Sequence, residues 1–125
     1  MSSAWPNLSE LLVGDAGVPM GLVGVPLAAG SVTPCACDKA PALLRQTLRR
    51  IGRYDVETGD SLFTPIHDCG DVALDGLSIE QATDPIREAV AGSLKDHALT
   101  LVAGGNNAIT RPAVLALDMP LTQVG

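Results

Sequence analysis

The sequence is poor in aromatic residues. It contains one Trp, one Tyr and one Phe among 125 residues, so aromatic residues make up only 2% of the chain. Hydrophobic residues nevertheless make up 46%, which is enough for a folded core, and this core must be built from aliphatic side chains. Aliphatic runs with many glycines are typical of parallel sheets that are buried on both faces. The composition therefore predicts a single α/β domain over residues 1–125.

Positive charge is also scarce. The chain has 8 Lys and Arg residues against 14 Asp and Glu residues, a formal net charge of −6, and no basic residue before Lys39. This balance argues against binding to nucleic acid or to an anionic membrane surface, because both need a dominant positive patch. Arg45, Arg49 and Arg53 recur at four-residue spacing on one predicted helix face. They fit either a solvated face or a contact with an anion or an acidic partner.

The sequence has no secretory leader pattern and no long apolar run. Its N-terminus lacks a basic region, and the apolar stretch from Val18 to Ala29 is interrupted by Pro and Gly. We therefore expect a cytoplasmic protein whose three cysteines, Cys35, Cys37 and Cys69, are reduced.

Strands and helices are predicted to alternate along the chain. Gly21–Leu27 is typical of a buried strand, and a loop over Ala28–Asp38 leads to a helix that begins near Lys39, with Asp38 as its cap. This helix would bury Leu44, Leu48 and Ile51 on one face. Further strands are predicted at Tyr54–Glu57, within Phe63–Val72 and at Ala98–Ala103. Weak helical character around Leu8–Leu12 precedes the first strand.

Two more helices complete the pattern. Ser78 and Gln81 fit a capping box, and Pro85 indicates either a kink or a fresh helix start. The apolar face of this helix is predicted to comprise Ile86, Ala89, Val90 and Leu94. A last helix is predicted over Ala108–Leu117. The alternation predicts a three-layer α/β/α fold with a mainly parallel sheet, in which Leu22–Pro26 and Ala98–Ala103 are neighbouring or near-neighbouring strands.

The segment Leu101–Pro112 is the strongest candidate for a functional site. It joins a predicted strand to a predicted helix through Gly104, Gly105, Asn106 and Asn107. Ligands bind at the carboxyl ends of strands in open α/β sheets, so this turn is predicted either to face a ligand or to be a tight turn capped by one asparagine. A small phosphate- or nucleotide-binding domain is one alternative, although the turn lacks the P-loop lysine and is not a GxGxxG motif.

Three ordered segments resemble the ureohydrolase family of arginases, agmatinases and formimidoylglutamases. Gly24-Val25-Pro26, followed by Ser31, Pro34, Ala36, Pro41 and Arg45, resembles an early family signature. The segment Asp68-Cys69-Gly70-Asp71-Val72 resembles the family's D-x-G-D-V motif. Gly104-Gly105-Asn106-Asn107-Ala108 is similar to the Gly-Gly-Asp-His-Ser turn, and Thr110 and Pro112 continue in the family style.

The resemblance implies the N-terminal portion of an arginase-like fold. It also implies a hydrolase with two manganese ions that acts on guanidino, amidino or formimino C–N bonds. In the family, the histidine of the turn binds manganese, and Asn107 stands at that position here, which indicates a formimidoylglutamase-like subfamily. Asn106 replaces an aspartate that would support the metal site, together with Gly104 and Gly105 in the ligand-facing turn. Cys35 and Lys39 also depart from the first signature.

The family's remaining metal ligands would follow residue 125. We therefore expect this chain alone to be inactive, and to form a homo-oligomer or to associate with a missing C-terminal part. The alternative is a truncated pseudoenzyme that serves as a binding or assembly module.

Other groupings of reactive residues are weaker. Cys35, Cys37, His67 and Cys69 could form a zinc set, although their spacings are unusual. Asp68 and Asp71 are predicted to lie on opposite faces of a strand, so an acid–base pair is not favoured. Ser31 and Thr33 lack a neighbouring base, which argues against nucleophilic catalysis.

Overall fold

The computed structural model describes residues 5–118, which form a parallel sheet with helices on both faces. The strands are β1 (Leu12–Val13), β2 (Met20–Val25), β3 (Ile66–Asp71) and β4 (Leu99–Gly104). The helices are α1 (Ala40–Leu48), α2 (Ile79–Asp96) and α3 (Thr110–Leu115). Short 3-10 turns occupy Leu8–Leu11, Cys37–Lys39 and Asn107–Ile109.

The sheet has the strand order β1-β3-β2-β4, and every pairing is parallel. β2 is central and pairs with β4 in unbroken register from Met20–Leu99 to Val25–Gly104. Its aliphatic run is covered on both faces, because both Leu22 and Val23 are buried. The predicted α/β class and the predicted parallel pairing of these two strands are both confirmed.

The hydrophobic core lies between the sheet and α2. This helix begins with a full capping box, in which the Ser78 hydroxyl accepts from the Gln81 N–H and the Gln81 side chain accepts from the Ser78 N–H. Pro85 lies inside α2 and does not divide it into two helices. The core comprises Val23, Val25, Leu27, Leu74, Ala82, Ile86 and Val90, with Ala89 and Leu94 packed against it. No helix in the described part of the chain is long and apolar enough to cross a membrane.

Helix α1 covers the face of the sheet opposite to α2, but its cap and its buried residues differ from the prediction. Asp38 is not its cap, because a 3-10 turn that includes Asp38 leads into the helix and Lys39 precedes its first residue. Leu44 and Ile51 remain 38% and 43% exposed, so the predicted apolar face is not buried among the described residues. α1 instead packs through Pro41, which is fully buried.

The chain between α1 and β3 is irregular, and the strand predicted at Tyr54–Glu57 is wrong. A single antiparallel bridge joins Tyr54 to Ser61, and Gly59, at φ +76°, helps the chain to reverse between them. Polar turn formers around Gly59 therefore prevail over the extended preference of Tyr54 and Val56. The strand predicted within Phe63–Val72 forms only from Ile66, after Pro65.

The first and last elements of the described chain differ from the predicted ones. The weak helical signal around Leu8 is a 3-10 turn, and β1, which follows it, was not predicted. The last helix begins with a 3-10 turn at Asn107 and ends at Leu115 instead of Leu117.

A bulge in β3 changes which side chains share a face. Leu22 is paired with Asp68, whereas Gly24, two residues on, is paired with Asp71, so β3 contains one extra residue. Gly70 accommodates this residue at φ +81°. The prediction that Asp68 and Asp71 lie on opposite faces is therefore wrong, and both carboxylates point toward α1, where they contact Arg45.

Candidate functional site

The turn after β4 is shaped by two glycines. Gly105 adopts φ +57°, and a Cβ atom there would lie 2.5 Å from the carbonyl oxygen of Val25 and 2.8 Å from the amide nitrogen of Leu27. A Cβ at Gly104 would meet the side chain of Ile109. Gly105 therefore lets the turn lie directly against the end of β2, and Gly104 leaves room for the side chain of Ile109.

Asn106 fastens this turn to the loop that follows β2. Its Oδ1 accepts a hydrogen bond from the Ala108 N–H at 3.0 Å, which caps the 3-10 turn. Its Nδ2 donates to the Ala29 carbonyl at 2.8 Å and to Ser31 Oγ at 3.1 Å. Because Ala108 offers only a donor and Ala29 only an acceptor, the orientation of the amide is fixed by its two backbone partners. The capped-turn interpretation therefore holds for Asn106.

The same contacts disfavour a phosphate site at this turn. The Asn106 N–H donates to the Leu27 carbonyl at 2.9 Å, and the Ile109 N–H donates to the Asn106 carbonyl. The Ala108 N–H is also engaged by Asn106, so three backbone donors of this turn already have partners within the protein and are not free for a phosphate.

Asn107 is exposed beside a cavity of about 260 Å³. The cavity walls come from the turn and from the loop after β2, namely Gly30, Ser31, Val32, Thr33, Cys35, Cys37, Asn106, Asn107 and Ala108. Cys35 and Cys37 are joined by a disulfide in this wall, which corrects the expectation that both thiols are reduced. Ser31 Oγ lies 3.1 Å from Cys35 Sγ and links the disulfide to Asn106.

Arg45, Asp68 and Asp71 form a partly buried ion cluster on the α1 face of the sheet. The guanidinium is bidentate to Asp68, with distances of 2.8 and 2.9 Å, and its Nη1 lies 2.7 Å from Asp71 Oδ1. Of the arginines predicted on one helix face, Arg45 therefore contacts an acidic partner within the chain. Arg53 lies outside α1, 3.8 Å from Glu10 and over the ring of Phe63.

The cluster controls the ionisation of Asp68. Burial by itself would raise the pKa of Asp68, but the hydrogen bonds from Arg45 and from the Gly70 N–H favour the carboxylate and leave this pKa below its ordinary value of 3.8. The same hydrogen bond to Asp68 raises the pKa of Arg45. Asp68 is therefore a permanently charged structural partner at neutral pH, which is the opposite of what a general acid needs.

Two of the sequence motifs meet in this cluster. A Cβ at Gly24 would overlap Asp71 Oδ1 and would lie 3.1 Å from Pro41 Cβ. Gly24, Pro41 and Arg45 from the first signature thus pack against Asp68 and Asp71 from the second. These five residues from the two sequence segments therefore belong to one packing arrangement, which joins α1 to the sheet.

The predicted zinc set is not assembled as proposed. Cys35 and Cys37 are bonded to each other, whereas His67 and Cys69 lie on β3 and face α2. His97, at the end of α2, joins them, with its Nε2 3.0 Å from His67 Nδ1. Sequence spacing did not reveal this neighbour because 30 positions separate the two histidines. Ser31 hydrogen bonds to Asn106 and faces the disulfide, and no base lies near Thr33 among the described contacts.

The fold and the turn at the carboxyl end of β4 define an α/β protein with the architecture of the N-terminal part of a ureohydrolase. The sequence model of the arginase family matches residues 18–124, so the chain belongs to the arginase family. The formimidoylglutamase of Bacillus subtilis (strain 168) is 28% identical over 99 residues, which cover 77% of this chain and 31% of that protein.

Solved structures show the same fold. The crystal structure of formimidoylglutamase from Bacillus subtilis superposes with a TM-score of 0.78 at 24% identity, covering 91% of this chain and 38% of that one. Trypanosoma cruzi formiminoglutamase, solved with Mn²⁺, gives a TM-score of 0.76 at 24% identity, covering 91% of this chain and 41% of that one. The chain thus spans about a third of the length of the relatives it matches.

Proposed function

We propose that this chain forms the N-terminal part of a formimidoylglutamase-like hydrolase that acts on guanidino, amidino or formimino C–N bonds. The family match over residues 18–124 carries the proposal. Two observations support it. The Gly104–Asn107 turn lies at the carboxyl end of β4, where α/β sheets bind ligands, and Asn107 is exposed there beside a cavity.

We propose that the described residues alone do not hold a two-manganese centre. Asn107 occupies the family's histidine position, and its amide is a neutral and weak ligand. Asp68 and Asp71, which could supply charge, are engaged by Arg45. Metal-assisted hydrolysis needs several carboxylate and imidazole ligands around the ions. We therefore propose that manganese binding and catalysis require ligands from polypeptide outside residues 1–125.

The second part of the proposal is association. β4 is an edge strand of the described sheet, and Leu99 and Leu101 on it are 51% and 40% exposed. An apolar cavity of about 370 Å³ lies beside it, between α2 and α3. Unpaired edges and apolar surface favour pairing with further strands. A second copy of this chain or a C-terminal part of the hydrolase would supply them.

Titration with Mn²⁺ and an activity assay test the ligand count. The purified 125-residue chain should bind Mn²⁺ weakly, without a stoichiometric pair of sites, and should release neither urea from arginine or agmatine nor formamide from formimidoylglutamate. Calorimetry and product assays give the two readouts. Tight binding of two ions, or measurable product release, would show that the described residues suffice and would overturn the proposal.

A comparison of the native gene product with the 125-residue chain distinguishes the proposed hydrolase from an assembly module. The intact mass of the native gene product should exceed 12.8 kDa, the mass of this chain. In that longer product Asn107→His should tighten metal binding, whereas in the 125-residue chain it should not restore activity. A native product of 12.8 kDa that associates but does not hydrolyse these substrates would favour the assembly module instead.

A further inference from the structure

A second group of possible metal ligands lies between β3 and the C-terminal end of α2. The donor atoms of His67, Cys69 and His97 all lie within 4.8 Å of one another. His67 and Cys69 alternate along β3 on the face toward α2, and His97 immediately follows α2. The group therefore lies near the beginning of β4, whereas the Gly104–Asn107 turn follows its end.

We infer that His67, Cys69 and His97 form a binding site for a single zinc ion. An imidazole pair with one thiolate is a borderline-soft donor set, which suits Zn²⁺ and not Mn²⁺ or Mg²⁺. Three protein ligands leave a fourth tetrahedral position for water.

The spacing of the donors agrees with tetrahedral zinc. His67 Nδ1 lies 3.0 Å from His97 Nε2 and 3.6 Å from Cys69 Sγ. Ligands around one tetrahedral zinc ion are separated by about 3.4 Å for two nitrogens and about 3.6 Å for nitrogen and sulfur, as follows from Zn–N bonds of about 2.05 Å and Zn–S bonds of about 2.3 Å. The spacing of His67 Nδ1 and Cys69 Sγ therefore already fits, and the two ring nitrogens must move apart by about 0.4 Å. His67 must also carry its proton on Nε2 when Nδ1 binds the ion.

His97 is held in the tautomer that zinc requires. Its Nδ1 lies 2.8 Å from the Val18 carbonyl oxygen, which can only accept, so Nδ1 carries the proton and Nε2 presents its lone pair. A backbone carbonyl behind a ligating histidine is the usual support in zinc sites. His97 is also only 6% exposed, so its ring cannot turn away freely.

The backbone makes room for this histidine. A Cβ at Gly21 would meet Ser93 Oγ and would lie 2.5 Å from His97 Cδ2, so a side chain on β2 would displace the ring. Ser93 is buried and hydrogen bonds to Thr100 at 2.8 Å, which fixes the floor of the site.

The site is open to solvent on one side. A cavity of about 280 Å³ adjoins the three donors, and Asp96 contributes to its wall, whereas the carboxylate of Asp71 faces α1 and contacts Arg45. Cys69 is exposed and is not in a disulfide, so its sulfur is available to a metal ion. A divalent cation can therefore enter from solvent, and the nearby Asp96 favours its approach.

Zinc titration of the full 125-residue chain tests the inference, with Cys35→Ser and Cys37→Ser in the background to remove the other two cysteine sulfurs. This double variant should bind one Zn²⁺ per chain. Adding Cys69→Ser should weaken binding at least about tenfold, because loss of even an outer partner of a zinc ligand costs about that much. Cys69 is exposed, so this change should leave the fold intact, which circular dichroism verifies.

Two further readouts address the ligands directly. Co²⁺ in place of zinc should give the thiolate charge-transfer band and the visible bands of tetrahedral cobalt, and both should disappear in Cys69→Ser. Zn²⁺, but not Mg²⁺, should slow alkylation of Cys69 in the double variant. Absence of zinc binding in the folded double variant, or equal affinity with and without Cys69, would overturn the assignment.

Discussion

At the scale of single residues, Asn106 shows how a departure from the family motif is accommodated. A carboxylate at position 106 could still accept from the Ala108 N–H, but it could not donate to the Ala29 carbonyl as Asn106 Nδ2 does. The amide therefore makes a hydrogen bond to the loop after β2 that an aspartate could not make. Relative to the aspartate that the family resemblance implies at this position, Asn106 removes a charge from the turn and adds this hydrogen bond between two loops.

Restoring the family residue should consequently destabilise the chain. Asn106→Asp loses the donor to Ala29 and places a negative charge against a carbonyl oxygen, so we expect the free energy of unfolding to fall by about 1–3 kcal/mol. Asn107→Asp is the matched control, since it adds the same charge at the exposed neighbouring position. Urea unfolding of both variants measures the difference. Equal stability of the two would mean that the Ala29 contact contributes nothing.

Much of this site could not be predicted from the sequence alone. The Gly-Gly-Asn-Asn pattern predicted a turn at the carboxyl end of a strand, because strand period and turn chemistry are local properties. The hydrogen bond from Asn106 to Ala29 and the contact of His67 with His97 both depend on segments that are distant in the sequence. Cys35 and Cys37 are only two residues apart, but the spacing alone did not indicate that they are bonded to each other. Residue spacing carries no record of such contacts.

At the scale of elements, the same distinction between local patterns and long-range contacts separates the correct predictions from the errors. β2 and β4 are continuous apolar runs and α2 has a periodic apolar face with a capping box, and the structure confirms all three elements. The bulge at Gly70 interrupts the two-residue period of β3 and brings Asp68 and Asp71 to one face, so the prediction from this period is wrong. The predicted burial of one apolar face of α1 is wrong, because Leu44 is exposed and Ile51 lies beyond the end of the helix and is exposed as well.

The ion cluster should contribute measurably to the attachment of α1 to β3. Asp68→Asn removes the charge that Arg45 contacts with two nitrogens, and these side chains are only 26% and 23% exposed, so we expect a loss of about 1–2 kcal/mol in the free energy of unfolding. The exposed pair of Arg87 and Asp84 in α2 is the control, and Asp84→Asn should cost less than about 0.5 kcal/mol. Similar losses for both variants would contradict a special role for the cluster.

The contribution of Asp68 should depend on pH in a defined direction. Its pKa is lowered in the folded chain, so the stabilisation is complete above the ordinary value of 3.8 and is lost as the pH falls through the lower folded pKa. The stability difference between the wild type and Asp68→Asn should therefore be constant near neutral pH and should shrink below pH 3.8. Denaturant unfolding at a series of pH values measures it. A difference that grows on acidification would show that another group is responsible.

At the scale of the whole molecule, the described sheet ends at β4. This strand continues the aliphatic character of β2 but has a neighbour on one side only, its Leu99 and Leu101 are exposed, and Leu99 lines an apolar cavity. In relatives with the same fold, this chain corresponds to about a third of the polypeptide. The exposed edge and its leucines are the surface through which the proposed association would take place.

We expect the isolated chain to self-associate through this edge. Leu101→Lys places a charge on the exposed strand, where edge charges prevent pairing, and should shift the chain toward the monomer. Val56→Lys is the matched control, because Val56 is 82% exposed in the turn between Tyr54 and Ser61, away from β4. Light scattering across a wide concentration range measures the mass of each variant, with thermal unfolding to verify that both are folded. If the wild-type chain is monomeric throughout, or if both lysine variants dissociate equally, the β4 edge is not the surface of association.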